Sequence, residues 1–585
     1  MARKKTNKET IWNVREKWDQ SSTMGSALGI APFIAQLLFN RGVDNVDAGR
    51  EFLNPKLTGL HEPELMAGVK PAIARIREAM ESDQKIVIYG DYDVDGTTGT
   101  AILWHCLKLA GKDADFYVPH RIDEGYGLHS EAVKQFAEDG YSLLITVDCA
   151  ITAVEPVALA NSLGMDVIIT DHHTVPAILP DALAIVHPNL PGENYPNPHL
   201  CGSGVAYKLA WAIAKTFSGG SKVLPQFREF LLSATSLAAL GTIGDVVPLV
   251  GENRILTTWG INGLLNSKNP GIRALMEKAG LGENLTSRDV AFLLAPRLNA
   301  AGRLGHARLA IELFTTESEI KAEQIASYLD QQNKDRQKIE KKITEEACAM
   351  VNASGWNKND WKVLVIDAEN WHSGVVGIVA GRILDKFHKP TIVLTANEKG
   401  YYQGSARSID GFNIYDALEA CSEHLIGFGG HAKAAGMKVA PEKINDFRMA
   451  LNEYASAHLK EDDIKKIINI DTETELHELT RAAIENLSRL EPIGEGNPRV
   501  ILAARGLELV GIPKKMGKAG EHLSLLVRDP QNQSLAMRAV AFKMADMEKA
   551  LIDAKTIDIA FSPKMNHFNG NTTVEMMVED IKVVS

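Results

Sequence analysis

Acidic residues and histidines follow several short apolar runs in the first half of the chain. Asp91, Asp93 and Asp95 alternate in the stretch GDYDVDG, directly after the apolar run Lys85–Tyr89. The later members of the set also come after or within apolar runs: Asp148, Asp171, His172, His173 and Asp245. Carboxylate oxygens with one or two imidazoles suit Mg²⁺ or Mn²⁺, and the nitrogen donors favour Mn²⁺. The pattern therefore predicts a site for divalent cations.

Each of these motifs also has an ordinary structural interpretation. The alternating acids could form a turn or a calcium-type loop, and a lone aspartate after a strand is often a helix N-cap. The Asp-His-His triplet could be a hydrogen-bonded polar turn. Their occurrence in order, after successive strands of one sheet, favours a shared site over four separate turns.

The apolar runs alternate with helical segments, which is typical of a parallel, doubly wound sheet. The predicted strands are Lys85–Tyr89, Asp115–Pro119, Leu143–Val147 and Val167–Thr170. We expect the acids to converge, because the carboxyl ends of parallel strands lie along one edge of the sheet, where open α/β folds bind ligands. Such a cluster requires cations or raised pKa values, since burying isolated charges is strongly unfavourable.

The predicted cation site indicates a particular kind of chemistry. Two divalent ions about 4 Å apart could clamp the attacking and leaving oxygens of a phosphoester. The reaction would be metal-assisted hydrolysis, with a bridging water as the nucleophile and no covalent intermediate. The sequence contains no GxSxG elbow, P-loop or dinucleotide-binding fingerprint.

Composition limits the class of protein. The chain has 585 residues, enough for roughly four domains. Its formal net charge of −11 argues against indiscriminate coating of nucleic acid, so a nucleic-acid enzyme would need a local basic groove or metal ions. Five scattered cysteines, none in a CxxC pair, indicate a reducing compartment. With neither a membrane-length apolar run nor a secretory signal, we expect a cytoplasmic protein that does not contact membranes.

The sequence divides into five segments. Residues 1–60 are predicted to be helical, and residues 61–317 to form the first α/β domain. Residues 318–352 are predicted to form a long connecting helix, whose polar centre is typical of a solvent-bridging helix with a solvated charge run. A smaller, glycine-rich α/β domain covers residues 353–465. Repeated short strands over residues 466–585 predict a small β-barrel.

Motifs along nearly the whole chain resemble those of a known family. YGDYDVDG, TVDCAIT, TDHH and LGTIGDVVPL resemble the four motifs of the DHH phosphoesterase superfamily, and PRLNAAGR resembles a motif of the RecJ family within it. WHSGVVGIVAGR, GSARS and GFGGHAKAAG resemble the DHHA1 domain, and LEPIGEGNP resembles the segment before the RecJ OB-fold. The resemblance implies an α/β fold: a parallel-sheet DHH domain linked by a long helix to a smaller α/β DHHA1 domain, plus a C-terminal OB-fold β-barrel that binds nucleic acid.

The same resemblance implies a function. Members of this family are single-stranded-DNA-specific 5′→3′ exonucleases that release 5′-mononucleotides in DNA repair and recombination. The resemblance further implies two Mn²⁺ or Mg²⁺ ions, single-stranded DNA as the partner, and cooperation with a helicase and a single-strand-binding protein. We expect a monomer, because a cleft between two lobes needs no second subunit.

The resemblance also assigns roles to the metal-site residues. The metal ligands would be Asp93, Asp95, Asp148, His172 and Asp245, with Asp91 either binding metal or holding the loop. His173 would face the substrate phosphate, and Asp171 would orient the histidines. Tyr89 stands where many superfamily members have a histidine.

Further residues would contact the DNA by the same resemblance. Asn299 and Arg303 would lie at the scissile bond, although ordinary helix capping is the alternative for this segment. Arg121, together with Ser405 and Arg407 of the second lobe, would bind a terminal 5′ phosphate. A strand groove between the lobes would be shaped by Gly429, Gly430 and His431, for which tight turns are the alternative.

Two other functions remain open at this point. A small-molecule phosphohydrolase could share the metal site, but it would not need the barrel and the long connector. A non-catalytic DNA-binding relative would be expected to lack metal carboxylates, and all are present here.

If the cleft between the two lobes is narrow, it would admit a single strand and exclude a duplex. The basic residues of the barrel would then hold the strand mainly by charge.

Overall fold

The computed structural model describes residues 10–121, 123–219, 222–303, 306–358, 360–460, 462–568 and 570–584. Residues 1–9 of the predicted N-terminal segment lie outside this described part. By internal contacts the chain forms two compact units. One consists mainly of Tyr328–Ile468 and includes Arg303; the other consists of Trp12–Gly302, His306–Ser327 and Asn469–Ser585.

The N-terminal segment is mostly helical, as predicted. Its elements are β1 (Ile11–Val14), α1 (Ser21–Leu28), α2 (Pro32–Phe39) and α3 (Val46–Leu53). Phe33 and Leu37 belong to the same hydrophobic core as Leu502 and Ile559 of the C-terminal strands. Among the described residues, no single helix is long and apolar enough to span a membrane; the bent pair of α1 and α2 passes that test only when the two are taken together.

The first α/β domain contains a five-stranded sheet in which every pairing is parallel. Its strands, in the spatial order β3-β2-β4-β5-β6, are β2 (Lys85–Gly90), β3 (Asp115–Tyr117), β4 (Tyr141–Val147), β5 (Asp166–Thr170) and β6 (Ala184–Val186). The central strands are buried nearly throughout, because helices cover both faces of a parallel sheet. Four of the strands match the predicted ones, and β6 was not predicted.

The helices of this domain follow the predicted alternation at first and then form a mainly helical second half. They are α4 (Val69–Glu81), α5 (Val94–Leu109), α6 (Ser130–Glu138), α7 (Val154–Ser162), α8 (Gly202–Phe217), α9 (Pro225–Gly244), α10 (Gly251–Leu265), α11 (Pro270–Lys278), α12 (Ser287–Asp289), α13 (Ala295–Arg303) and α14 (Arg308–Thr315). Helices α5, α8 and α9 pack against one another, and their ends reach the carboxyl edge of the sheet.

The predicted connecting helix is α15 (Glu319–Ala353). The prediction of a solvated centre was wrong for one face of it, because Asn333, Arg336 and Glu340 are buried. Arg336 donates hydrogen bonds to Asn333 (2.8 Å) and Glu340 (2.6 Å). Buried polar groups are tolerated where such partners satisfy them, so this stripe needs no apolar residues.

The second α/β domain has a five-stranded mixed sheet in the order β10-β11-β9-β8-β7. The strands are β7 (Leu364–Ala368), β8 (Thr391–Ala396), β9 (Tyr402–Arg407), β10 (Gly427–His431) and β11 (Ala434–Val439), and the helices are α16 (Ser373–Phe387), α17 (Ile414–Ala420) and α18 (Ile444–His458). Strand β10 lies at the edge of the sheet, paired only with β11 in that order.

The C-terminal region is a small β-barrel, as predicted. Its elements are β12 (Ile467–Ile470), β13 (Thr472–Glu473), α19 (Arg481–Leu487), β14 (Leu502–Leu509), β15 (Lys514–Met516), β16 (His522–Asp529), β17 (Asn532–Ala541), α20 (Glu548–Ile552), β18 (Thr556–Phe568) and β19 (Asn571–Val584). Pairing of β14 with β16 closes the order β14-β18-β19-β17-β16 into a ring. Arg254 of α10 donates to the carbonyls of Arg489, Leu490 and Glu491, which ties the barrel to the first α/β domain. The predicted fold class is confirmed.

Candidate active site

The ends of four parallel strands are in register. Gly90 pairs with Val147, Val147 with Thr170, and Thr170 with Val186. The next residues along these strands therefore form a row across the edge of the sheet: Asp91, Asp148, Asp171 and His187. Main-chain hydrogen bonds extend the ladder through the first three, with N–H to O distances of 2.9–3.2 Å. This register brings together acids that are 80 residues apart.

Two more aspartates come from the start of α5. Asp93 is the N-cap of that helix, and its side chain accepts from the main-chain N–H groups of Asp95 (2.8 Å) and Gly96 (3.2 Å). Asp95 is fully buried and accepts from the N–H groups of Gly202 (2.5 Å) and Ser203 (2.8 Å) at the start of α8. A helix N-terminus stabilises a carboxylate in this way.

Glycine is needed at position 202 because of the neighbouring aspartate. A Cβ atom there would lie 2.5 Å from Cβ of Asp148, far inside van der Waals contact. Asp148 itself has φ +63°, a left-handed conformation that aspartate adopts more readily than most residues. The chain thus accommodates an unusual backbone to place this carboxylate at the centre of the site.

Asp245 was predicted to follow a strand of the sheet, but it directly follows helix α9 and reaches the cluster from there. His172 completes the cluster. Its Nε2 lies 3.1 Å from Oδ1 of Asp148, 3.5 Å from Oδ2 of Asp245 and 3.8 Å from Oδ2 of Asp95. The possible metal-binding groups are three overlapping sets: Asp91, Asp93 and Asp148; Asp95, His172 and Asp245; and Asp148, His172 and His173. The structure brings all six predicted metal residues together.

The electrostatics of the cluster suit cations. Burial, with repulsion from nearby carboxylates, raises the pKa values of Asp91, Asp93 and Asp148. The same causes, with Asp95 as the strongest neighbour, raise the pKa of Asp245 to about 9. Within the described part of the chain, Oδ1 of Asp91, Oδ1 of Asp148 and Nε2 of His172 are buried without a hydrogen-bond partner. Unpartnered oxygen and nitrogen donors facing one another fit Mn²⁺ or Mg²⁺.

His173 lies beside the cluster and is held by Asp171. Oδ1 of Asp171 accepts from Nδ1 of His173 (2.8 Å) and from the main-chain N–H groups of both histidines. Burial opposes the charged form of His173, but the hydrogen bond and charge of Asp171 outweigh it and raise the pKa of His173 to about 9. Burial likewise opposes ionisation of Asp171, yet the same bond leaves its pKa below the ordinary value. The pair is thus an imidazolium held by a carboxylate.

Two residues that the sequence did not single out lie in this site. The Tyr126 hydroxyl donates to the main-chain oxygen of Asp148 (3.2 Å) and lies 3.1 Å from Nδ1 of His173. His187 contacts the main-chain oxygen of His173 through Nε2 (2.9 Å). Tyr126 lies in a loop with no periodic signal, whereas recognising β6 as a strand would have placed His187 in the row of strand ends.

Tyr89 has a packing role. It is fully buried and its hydroxyl donates to the main-chain oxygen of Gly127 (2.8 Å), which anchors the loop that carries Tyr126. Arg121, in the same loop, stacks its guanidinium over the ring of Tyr92 at 4.7 Å. The Tyr92 ring also packs edge-on against that of Tyr126, and the charge of Arg121 acts on the carboxylate of Asp91, so Arg121 lies near the acidic cluster.

The two predicted residues of α13 make different contacts. Oδ1 of Asn299 accepts from the main-chain N–H of Val94 (2.8 Å), which is the first residue of α5 and has no hydrogen-bond acceptor within the helix. Arg303 donates from Nη1 to the main-chain oxygen of Gly374 (3.0 Å). A direct contact of either residue with substrate stays a prediction.

The predicted residues of the second α/β domain lie on two of its strands. At the end of β9, Nη1 of Arg407 donates to Oγ of Ser405 (2.9 Å), and burial lowers the pKa of Arg407. Gly429, Gly430 and His431 lie on the edge strand β10 and are exposed. Gly430 has φ +140°, and a Cβ atom there would lie 2.5 Å from the main-chain oxygen of Ala434, so a tight backbone explains this glycine.

Family models match most of the chain in the expected order. The N-terminal domain of the DHH family matches residues 85–235, the DHHA1 domain residues 360–457 and the RecJ OB domain residues 470–580. The fold, the family matches and the cluster of candidate metal ligands thus define a metal-dependent phosphoesterase of the DHH type.

Individual proteins give a closer assignment. The chain is 38% identical over 576 residues to the single-stranded-DNA-specific exonuclease RecJ of Bacillus subtilis (strain 168), covering 98% of this chain and 71% of the relative. The crystal structure of RecJ in complex with Mn²⁺ from Thermus thermophilus matches with a TM-score of 0.83 and 29% identity, over 99% of this chain and 80% of that one. The Mg²⁺ complex from the same organism matches with a TM-score of 0.76 and 28% identity, over 98% and 79%. This chain belongs to the RecJ family.

Proposed function

We propose that this protein is a single-stranded-DNA-specific exonuclease that degrades DNA in the 5′→3′ direction and releases 5′-mononucleotides. The observation that carries the proposal is the convergence of Asp93, Asp148 and His172, with their neighbours, at one sheet edge of a RecJ-family chain. The 5′→3′ direction of degradation is inferred from the family resemblance.

The proposed metal ligands are Asp93, Asp95, Asp148, His172 and Asp245, with Asp91 completing the cluster. A bound pair of Mn²⁺ or Mg²⁺ ions would stabilise charge on the phosphate oxygens and acidify a water nucleophile. The fold fixes the side chains that would hold the ions: α5 and α8 orient Asp95, and the strand register positions Asp148. Removing any of these carboxylates would weaken cation binding at the cluster.

His173 is proposed to bind the phosphate at the scissile bond. Its Nδ1 proton is donated to Asp171, which leaves Nε2 directed away from that carboxylate. Because the pKa of His173 is raised to about 9, the imidazolium form dominates at neutral pH and can donate from Nε2 to a phosphate oxygen. Asp171 is thus a positioning residue for the imidazolium of His173.

Phosphate contacts are proposed in both α/β domains. Arg407 and Ser405 form a hydrogen-bonded pair of the kind that binds phosphate, and we assign them to the 5′-terminal phosphate. Arg121 is held on the ring of Tyr92, ready to contact the DNA backbone. We assign Asn299 and Arg303 to the region of the scissile bond. The exposed edge formed by Gly429, Gly430 and His431 is proposed to line the path of the strand.

The barrel is proposed to hold the DNA chiefly by charge. Of its basic residues, Lys515, Arg528 and Arg538 form ion pairs with glutamates at 2.6–3.0 Å. For Lys514, Lys518 and Lys543 no ion pair occurs within the described residues. Phe542, next to the last of these, is 49% exposed and could stack on a base, whereas Phe561 is buried in the core.

We propose the predicted boundaries for the domains: 1–60, 61–317, 318–352, 353–465 and 466–585. The three family matches lie within the second, fourth and fifth of these segments, which supports the proposal. From the resemblance we also propose a cytoplasmic monomer that works with a helicase and a single-strand-binding protein in DNA repair and recombination.

A digestion series tests the proposed function. The substrates are a 5′-phosphorylated single strand, the same strand blocked at its 5′ or 3′ end, and a blunt duplex, each with Mn²⁺. We expect mononucleotides from the free and 3′-blocked strands only, and no turnover by Asp148→Asn, which keeps a side chain that tolerates the left-handed backbone. Cleavage confined to dinucleotides, or equal cleavage of the duplex, would overturn the proposal in favour of another phosphohydrolase.

A further inference from the structure

The row of residues at the sheet edge has a fourth member with no role in the proposed chemistry. His187 directly follows β6, as Asp91, Asp148 and Asp171 directly follow β2, β4 and β5. In the proposed function, Asp91 and Asp148 bind metal and Asp171 orients a histidine. His187 is 1% exposed, so a contact with solvent does not explain it.

The hydrogen bonds of His187 fix its tautomer. The main-chain N–H of Asn189 donates to Nδ1 (3.0 Å), so Nδ1 carries no proton. Nε2 therefore carries the proton and donates to the main-chain oxygen of His173 (2.9 Å). The turn after β6 thus presents one N–H donor to the dipeptide that supplies both site histidines.

The other contacts of the His172–His173 dipeptide are made to its main-chain N–H groups and to the side chain of His172. Asp171 accepts from the main-chain N–H groups of His172 and His173, and Asp148 lies against Nε2 of His172. These contacts fix the N–H side of the dipeptide, and His187 fixes the carbonyl of its second residue. Without this last bond, the peptide plane after His173 can rotate, and the imidazole loses one of the constraints on its direction.

We propose that His187 is a positioning residue, which holds the main chain at His173 so that the imidazole of His173 meets the substrate phosphate. The proposal rests on the proposed nuclease function. Removal of groups that orient the residues at a metal site typically costs 10–100-fold in activity. We therefore expect a loss of that size in kcat/KM, mainly in kcat, because the residues proposed to contact the rest of the strand are unchanged.

The test compares His187→Leu, which removes both hydrogen bonds, with His187→Gln, which retains a donor at about the reach of Nε2. We expect the leucine variant to lose about 10–100-fold in kcat on a 5′-phosphorylated single strand and the glutamine variant to recover most of it. The control is His105, a partly buried histidine whose Nε2 likewise contacts a main-chain oxygen, that of Phe314 (2.9 Å), at the far end of α5. His105→Leu should leave kcat within about twofold.

A double-mutant cycle with His173→Ala separates positioning from general destabilisation. If His187 acts through His173, its replacement by leucine should cost little further activity once the His173 imidazole is gone. Full additivity of the two losses, or equal activity of His187→Leu and His187→Gln, would overturn the inference. Mn²⁺ titration followed by thermal melting gives a second readout, which should change little in His187→Leu. A wild-type protein without nuclease activity would instead overturn the proposed function.

Discussion

Replacing Asp245 by asparagine should stabilise the metal-free protein and weaken its response to Mn²⁺. Burial and the neighbouring carboxylates, Asp95 first among them, raise the pKa of Asp245 from 3.8 to about 9. Because the folded-state pKa is raised, folding favours the protonated form, so this group costs stability above pH 3.8 and the cost grows until pH 9. At about 1.4 kcal/mol per pH unit, the cost at pH 7 is at most about 4 kcal/mol.

The neutral amide of Asp245→Asn carries no such cost. At about 2 °C per kcal/mol for a domain of this size, we expect the apparent Tm of the metal-free variant to rise by up to roughly 8 °C at pH 7, with little difference from wild type near pH 4. The assay is thermal unfolding between pH 4 and 9 in the presence of a chelator, followed by Mn²⁺ titration at pH 7. A ligand that binds only the folded state raises Tm, so the wild type should gain more from Mn²⁺ than the variant.

Asp553→Asn, at an exposed position of the barrel, should change neither the pH profile nor the Mn²⁺ response. If Asp245→Asn were less stable than wild type without metal at pH 7, the carboxylates would not repel one another as described. An undiminished Mn²⁺ response would show that Asp245 is not a ligand.

Three other predictions concern packing, positioning and DNA grip. Gly202→Ala should abolish nuclease activity and stabilisation by Mn²⁺, because its Cβ atom would lie 2.5 Å from Cβ of Asp148. The control Gly282→Ala should leave both properties intact, because a Cβ atom at that position meets nothing within 4 Å. Tyr126→Phe should lower kcat about 5–10-fold with unchanged Tm, since one hydroxyl contact to His173 is lost; unchanged kcat would contradict this role. Alanine at each unpaired barrel lysine should reduce the slope of log affinity for single-stranded DNA against log salt by about 0.7, and an unchanged slope would exclude that residue from the DNA contact. These lysines are Lys514, Lys518 and Lys543.

The convergence of the acidic residues was predictable from the sequence for a simple reason. The strands β2, β4 and β5 are continuous apolar runs, and parallel strands bring the residues after their carboxyl ends to one edge. Asp91, Asp148 and Asp171 therefore had to be neighbours once the strands were identified. Asp245 was grouped with these strand-end acids, and it does join the cluster, but it directly follows helix α9 rather than a strand.

The site residues and the buried stripe that the sequence did not predict are placed by contacts between residues that are distant in sequence. Strand β6 has only three residues, too few for a periodic signal, so the sequence did not reveal His187. Tyr126 is placed by the hydrogen bond of Tyr89 to Gly127, which no local pattern encodes. The polar stripe of α15 was interpreted as solvated because its partners, such as Arg382, which donates to Glu340 at 2.9 Å, are distant in sequence.

Anomalous diffraction from crystals grown with Mn²⁺ tests the central claim most directly. We predict two manganese peaks about 4 Å apart, within coordination distance of Asp93, Asp148 and His172. The second peak should weaken or vanish in crystals of Asp245→Asn. Manganese bound elsewhere on the protein, with no peak among these side chains, would contradict the account.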